Sequence, residues 1–153
     1  MSYSLNKKVF LKDLKHDNYL LNLFLTRILK NGKKRTARKI LYNTLNLIEY
    51  KIQKSPILII EQAVRNASPF VQLKPRRIGG VTHQIPVFLT KLQAIKLAIR
   101  WLIKSTQKKT GKTVSHKLAI EIIEASKGLG SVIKKKEETH KMAEANKTFL
   151  QLI

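Results

Sequence analysis

The side chains of this sequence that could do chemistry are mainly lysines and arginines, and they occur in groups. The chain carries 31 Lys and Arg residues against 9 Asp and Glu residues, which gives a formal net charge of +22 at pH 7. Ammonium and guanidinium groups at this density bind phosphates. A nucleic acid is therefore the expected partner, and an anionic membrane surface is the alternative.

The first group, KKRTARK at Lys33–Lys39, opens a predicted helix. The backbone dipole is already positive at a helix N-terminus, so cations placed there cost stability. We interpret this group as a phosphate-binding cluster. Its assigned residues are Lys33, Lys34, Arg35 and Arg38.

The second group follows one face of another predicted helix, because its cations recur at every fourth position. Like charges at this spacing repel by roughly 0.2–0.5 kcal/mol per pair, and this helix contains no acidic residue to relieve them. We interpret the face as an RNA-facing ridge that continues into the basic loop Gln107–Lys112. The assigned residues are Lys96, Arg100, Lys104, Lys108, Lys109 and Lys112.

The residues that could act in catalysis or bind a metal do not occur in the motifs or at the spacings that such sites require. The chain has no cysteine, its four histidines show no ligand spacing, and no serine lies in a nucleophile-elbow motif. Glu137 and Glu138 are adjacent, so their side chains diverge by about 100° on a helix. The GKT at Gly111–Thr113 is no phosphate-binding loop, because Thr106 stands where that motif needs glycine. We expect no enzyme activity, no metal and no other cofactor.

The stretch Ser68–Val87 predicts a two-stranded arm over residues 70–88. Apolar and polar residues alternate on either side of Gly79–Gly80, a pair suited to a tight hairpin turn. Pro75 and Pro86 donate no ladder hydrogen bond, which excludes a place in the middle of a wide sheet. An isolated hairpin is marginal in water, so we expect this one to lean on a polyanion. The cations of its tip are Lys74, Arg76 and Arg77.

Six helices are predicted around this arm, so the fold class is mainly α, a bundle with a protruding β-hairpin. Residues 1–17 form a basic tail and residues 18–153 a single domain, whose last helix is predicted over SVIKKKEETHKMAEANKTF. The expected helix caps are Asn18, Ser55, Thr90 and Ser115. Packing positions assigned in the later helices include Leu92, Trp101, Val114, Met142, Ala145 and Phe149.

Nothing in the sequence indicates export or a membrane anchor. No apolar run approaches the ~20 residues that span a bilayer, and residues 1–17 lack the apolar centre of a signal peptide. We expect the protein to work in the compartment where it is made.

Three stretches, NASPFVQLKPRRIGGVTHQIPV, LAIRWLI and KKKEETHKMAEANKTF, resemble the small-subunit ribosomal protein seven family. The resemblance is collinear from about Asn18 to Phe149, and it implies a bundle of about six helices with a β-arm. It also implies a structural constituent of the small ribosomal subunit. Such a protein binds the 3′ major (head) domain of the rRNA and nucleates head assembly. It lines the mRNA exit channel beside ribosomal protein eleven, among other head proteins, and meets the exit-site tRNA.

The resemblance implies roles for individual residues as well. The arm approaches rRNA and the exit-site tRNA, the segment Lys33–Arg35 falls at an rRNA-binding loop, and the last helix lies near the exit site. The arm residues are Lys74, Arg76, Arg77, Gly79, Gly80 and His83. The residues of the last helix are Lys134, Lys135, Lys136, His140 and Lys141.

The origin of the chain is indicated by a few details. The THQ at Thr82–Gln84 is similar to plastid members of the family, and heavy use of Lys, Ile and Asn suits an A/T-rich genome. The chain ends in FLQLI where the family has an aromatic, basic segment. We expect a plastid-encoded protein of the chloroplast stroma, with the bacterial cytoplasm as the alternative.

Other functions stay open on the residues alone. An architectural DNA-binding protein would place the arm in a minor groove, although such arms often carry an apolar wedge and only Ile78 is available at the tip. An RNA-processing enzyme would use His83 or His140. A membrane-surface role would need a helix with aromatic residues opposite lysines, and we find none.

Overall fold

The computed structural model describes residues 18–111 and 113–148. The predicted tail at 1–17, Lys112 and the segment 149–153 with Phe149 lie outside the described residues. In the described part, six helices and one hairpin follow each other, which confirms the mainly α bundle with a β-arm. Their bounds are α1 Tyr19–Ile28, α2 Lys34–Ile52, α3 Pro56–Ala67, β1 Val71–Ile78, β2 Val81–Phe88, α4 Lys91–Lys108, α5 Val114–Ser126 and α6 Ser131–Ala145.

Helix α5 lies at the centre of the bundle, where it packs against α2, α3 and α4. Its side chains Leu118, Ala119 and Ile122 are at most 1% exposed. Burial of each large apolar side chain contributes about 1.5–3 kcal/mol. Trp101 of α4 belongs to the same core, as its predicted packing role requires. In the described ranges no helix is both long and apolar enough to cross a bilayer.

Two of the predicted helix caps are confirmed. Asn18 Oδ1 accepts a hydrogen bond from Leu20 N at 2.8 Å, which satisfies a free donor at the start of α1. At the start of α4, Thr90 N donates to Gln93 Oε1 at 3.1 Å, one half of a capping box.

Of the other two predicted caps, Ser115 is wrong, whereas Ser55 occupies the predicted N-cap position. Ser115 is buried inside α5, and Thr113 Oγ1 accepts from His116 N at 3.3 Å instead. Thr113 has the extended backbone of a capping residue, with φ −128° and ψ 151°, so the helix begins two residues earlier than predicted. Ser55 precedes α3, but its side chain makes no capping hydrogen bond. Pro56 at the first helical position starts this helix, since its fixed φ already suits a helix.

Several predicted packing positions are also wrong. Leu92 and Val114 stand in the first turns of their helices, where packing against neighbours is incomplete, and both are exposed. Helix α6 buries a different stripe from the one predicted, because that stripe is where α3, α4 and the arm pack against it. The buried α6 residues are Val132, Thr139 and Ala143, whereas Met142 and Ala145 are exposed.

The arm has the turn that its glycines predict. The pair Ile78–Val81 closes an antiparallel ladder around Gly79 and Gly80. Their φ values are +57° and +84°, both in the left-handed region that a two-residue hairpin turn needs and that glycine adopts without strain.

The base of the arm rests on the protein itself. Pairs alternate between hydrogen-bonded and non-hydrogen-bonded away from the turn, and Pro75 and Pro86 both fall in non-hydrogen-bonded pairs. Their missing N–H groups therefore cost the ladder nothing. Ile85 and Pro86 are buried against the bundle, while the tip is exposed. We expected a polyanion to support the hairpin, but at the base of the arm the support comes from packing against helix α6.

Candidate nucleic-acid interface

The tip of the arm presents cations on both faces of the hairpin. Arg76 and Arg77 are successive strand residues, so their side chains leave on opposite faces, and both are exposed. Arg77 Nε donates to Gly80 O at 3.4 Å, which ties that side chain to the turn. His83 lies opposite Arg76 in the ladder, and Lys74 is exposed two pairs nearer to the base.

A cleft of about 360 Å³ separates the base of the arm from α4 and the end of α1. Lys74 from the arm, Lys96 and Arg100 from α4, and Arg27 from α1 line it. We call these four residues and the space between them the arm–α4 cleft. No acidic residue is among the described residues that line it. Because four like charges repel each other, binding of a polyanion here is favoured.

The second half of the α4 ridge faces α6. A cleft of about 330 Å³ is lined there by Lys104, Lys108 and Lys135, with Glu138 beside them. Lys135 Nζ lies 5.3 Å from the centroid of the Trp101 ring, a cation–π contact that holds the lysine at this place. The ridge therefore continues from the arm along α4 to the start of α6.

The cluster at the start of α2 stands apart from both clefts. Lys33, Lys34 and Arg35 are exposed, and the first turn of α2 contains neither an acidic residue nor a capping side chain. The positive end of the helix dipole and the cations favour the same ligand, an anion. Arg38 Nε is buried and has no hydrogen-bond partner in the described part of the chain.

One predicted RNA contact, Lys109, is engaged inside the protein. Its Nζ lies 2.8 Å from Glu121 Oε2 and 2.6 Å from Glu124 Oε2. Burial alone would lower the pKa of Lys109, but the two carboxylates outweigh it and raise that pKa above its usual value. Ser131 Oγ donates to Glu121 Oε1 at 3.2 Å. We call Lys109, Glu121, Glu124 and Ser131 the α4–α5–α6 junction.

The remaining predicted residues divide between the two sides of α6. Lys134 and Lys141 are exposed, whereas Lys136 and His140 are half-buried and bonded within the protein. Lys112 lies outside the described residues. No group of three or more His, Asp or Glu residues in the described ranges is arranged to hold a metal ion.

Sequence reasoning missed Arg27. It lies in the last turn of α1, where a cation already has a local explanation in the helix dipole. Only the packing of α1 against α4 places it beside Lys96, and no local signal predicts that long-range contact.

Comparison with known proteins identifies the family. The sequence model of the family "Ribosomal protein S7p/S5e" matches residues 1–147. The small ribosomal subunit protein uS7c of Bigelowiella natans is 46% identical over 147 residues, which is 95% of this chain and 92% of that protein. The small ribosomal subunit protein uS7 of Dehalococcoides mccartyi is 39% identical over 144 residues, 94% of this chain and 92% of that protein. The chain therefore belongs to the ribosomal protein S7p/S5e family, whose members are structural constituents of the small ribosomal subunit and not enzymes.

Proposed function

We propose that this protein binds the 3′ major (head) domain of small-subunit rRNA through the arm–α4 cleft, the exposed α4 ridge and the start of α2. The observation that carries the proposal is the arm–α4 cleft, where cations from three elements line one space without an acidic neighbour. Membership of a ribosomal protein family makes rRNA the expected polyanion.

Membership of the family supports a proposal about the wider role. We propose that the bound protein nucleates assembly of the subunit head and that the arm tip contacts the exit-site tRNA through Arg76 and Arg77. The last helix would lie at the mRNA exit channel beside ribosomal protein eleven and other head proteins. The exposed cations of α6 that we assign to RNA are Lys134, Lys135 and Lys141.

Recognition in this proposal depends on RNA shape. Lysines and arginines neutralise phosphates and release counterions, and the rigid bundle holds them at fixed distances from one another. Each phosphate contact then contributes about −0.7 to −0.9 to the slope of log affinity against log salt.

The test is binding of purified protein to a labelled head-domain rRNA fragment over a range of salt concentrations. The variant Lys96→Gln/Arg100→Gln should bind more weakly and with a slope less steep by about 1.4–1.8. The control Lys54→Gln/Lys127→Gln removes two exposed cations outside the cleft and should bind like the original protein. Equal loss in both pairs, or stronger binding to duplex DNA than to the rRNA fragment, would overturn the proposal.

We propose the plastid stroma as the location. The support is a 46% identical relative named uS7c, against 39% for the bacterial relative. Sedimentation of the endogenous protein with small subunits from isolated plastids is the expected result, and its absence from plastid ribosomes would contradict the proposal.

A further inference from the structure

Helix α6 and the residue that follows it are hydrogen-bonded to the base of the arm at two points. Just before β1, the Phe70 N–H donates to His140 Nε2 at 3.2 Å, and the two rings stack with centroids 5.9 Å apart. In β2, Gln84 O accepts from Asn146 Nδ2 at 2.9 Å. These contacts lie at two points along the arm, so together they restrain its angle as well as its position.

The backbone groups used in these contacts are ones that the hairpin leaves free. Gln84 pairs with Pro75 in a non-hydrogen-bonded pair, so its carbonyl points away from the ladder. At the end of the ladder, Leu89 N donates to Phe70 O at 3.0 Å, while the Phe70 N–H turns to α6. Helix α6 and Asn146 therefore supply protein partners for two backbone groups that the ladder leaves free.

The same side of α6 is anchored to the bundle. Lys136 lies one turn before His140, and its Nζ donates to Asn66 O at 2.7 Å. Asn66 Nδ2 in turn donates to Ala125 O at 3.0 Å and Ser126 O at 2.9 Å, at the end of the central helix α5. A continuous set of hydrogen bonds thus runs from α5 through α3 and α6 to the arm.

We propose that Lys136, His140 and Asn146 are positioning residues that set the angle at which the arm leaves the bundle, and that they do not contact RNA. This reassigns Lys136 and His140, which the sequence places among the RNA contacts. The inference deepens the proposed function, and only its RNA readout rests on that function. Burial, and then the charge of Lys136, lower the pKa of His140, which keeps Nε2 an acceptor at neutral pH.

The first test needs no RNA and measures amide hydrogen exchange at Leu89. His140→Ala removes the acceptor of the Phe70 N–H. It should therefore lower the protection of the neighbouring Leu89 amide, which donates to Phe70 O, by about 3- to 10-fold, with unchanged helical circular dichroism. His140→Gln should restore most of the protection, since its amide oxygen reaches about as far as Nε2. Lys141→Ala, on the exposed side, is the matched control and should have no effect. Unchanged protection in His140→Ala would overturn the inference.

The second test separates positioning from contact by the salt dependence of RNA binding. Lys136→Met should weaken binding about equally at every salt concentration, because a misplaced arm loses preorganisation and not a phosphate contact. Lys134→Met should instead make the slope less steep by about 0.7–0.9. A change of slope in Lys136→Met equal to that in Lys134→Met would overturn the inference. If neither the original protein nor any variant binds the rRNA fragment, the proposed function fails. The hydrogen-exchange result at Leu89 would still stand, because it does not depend on RNA.

Discussion

The two ends of α4 carry similar positive charge in opposite surroundings. Near its start, Lys96 and Arg100 share the arm–α4 cleft with two further cations and no acidic residue among the described lining. At its end, Lys109 lies between Glu121 and Glu124 and is only 27% exposed. The cations of the arm–α4 cleft repel one another, whereas the charge of Lys109 is neutralised by carboxylates within the fold.

This comparison shows that a lysine's place in a basic stretch does not decide its role. Lys108 and Lys109 are neighbours in one basic segment, yet Lys108 is exposed and Lys109 is paired. What decides is whether folding brings a carboxylate to the ammonium group. Self-repelling cations favour binding of an external anion, whereas a paired cation compensates a carboxylate that folding has buried.

The largest expected effect comes from neutralising the arm–α4 cleft. Arg27→Gln/Lys96→Gln/Arg100→Gln should weaken rRNA binding by about two orders of magnitude, since it removes three charge-assisted contacts. The free energy of unfolding should change by less than about 0.5 kcal/mol, because the replaced side chains form no ion pair with any residue in the described ranges. Filter binding and urea unfolding measure the two quantities. If the triple variant were less stable but bound rRNA as tightly as the original protein, the cleft would be structural and would not be an RNA-binding site.

The second effect lies at the junction. Lys109→Met should lower the free energy of unfolding by about 1–3 kcal/mol, because Glu121, whose side chain is 1% exposed, loses its counter-charge. Partial solvent exposure of Lys109 keeps this value below that of a fully buried pair. The matched control Lys108→Met should leave stability unchanged and weaken RNA binding. If Lys109→Met is as stable as the original protein, the claim that Lys109 has a structural role at the junction is wrong.

The six helices and the arm could be predicted because each depends on local patterns. Apolar periodicity and the two glycines of the turn act over a few residues, and the structure confirms them. The exposed α6 face was assigned wrongly because its sequence offers two weak apolar stripes. Only packing against the arm selects the one with Ala143.

The candidate site was less predictable because it depends on contacts between distant segments. Arg27 reaches the cleft only through the packing of α1 on α4. The pairing of Lys109 with Glu121 and Glu124 requires α4 and α5 to lie side by side, and neither residue type nor spacing reveals that arrangement. Basic segments can be located from sequence, but the carboxylates that neutralise some of them cannot.

A third and smaller effect concerns pH. Burial and the nearby Lys136 hold the pKa of His140 below its usual 6.5. The unfolded state therefore takes up the proton first, so the stabilisation is complete above about pH 6.5 and is lost as the pH falls through the folded pKa. The His140 ring lines a cavity between the arm and the end of α6. The other charged residues that line this cavity are Glu144 and Lys147, and the residues that the strands contribute to it are apolar.

The measurement is the protection factor of the Leu89 amide between about pH 7.5 and about pH 5.5. It should fall as the pH is lowered, and His140→Gln, which does not titrate, should show no such fall. A parallel loss of rRNA affinity that is absent in His140→Gln reports on arm position. An unchanged protection factor in the original protein would contradict this account of His140.

The smallest expected effect is that of salt on stability. Raising salt screens the repulsion in the arm–α4 cleft, so the free energy of unfolding should rise by about 0.5 kcal/mol or less. The triple variant of the cleft should lose this dependence, whereas Lys109→Met should keep it. Urea unfolding at low and high potassium chloride measures it. If the free energy of unfolding of the triple variant still rises with salt, the repulsion comes from cations outside the arm–α4 cleft.

A structure of the small ribosomal subunit containing this chain tests the central claim most directly. We predict rRNA phosphate oxygens within about 3 Å of the guanidinium groups of Arg27 and Arg100, with Lys109 still paired to Glu121 and Glu124. A cleft open to solvent, together with Lys109 released from its carboxylates and bound to RNA, would contradict the account.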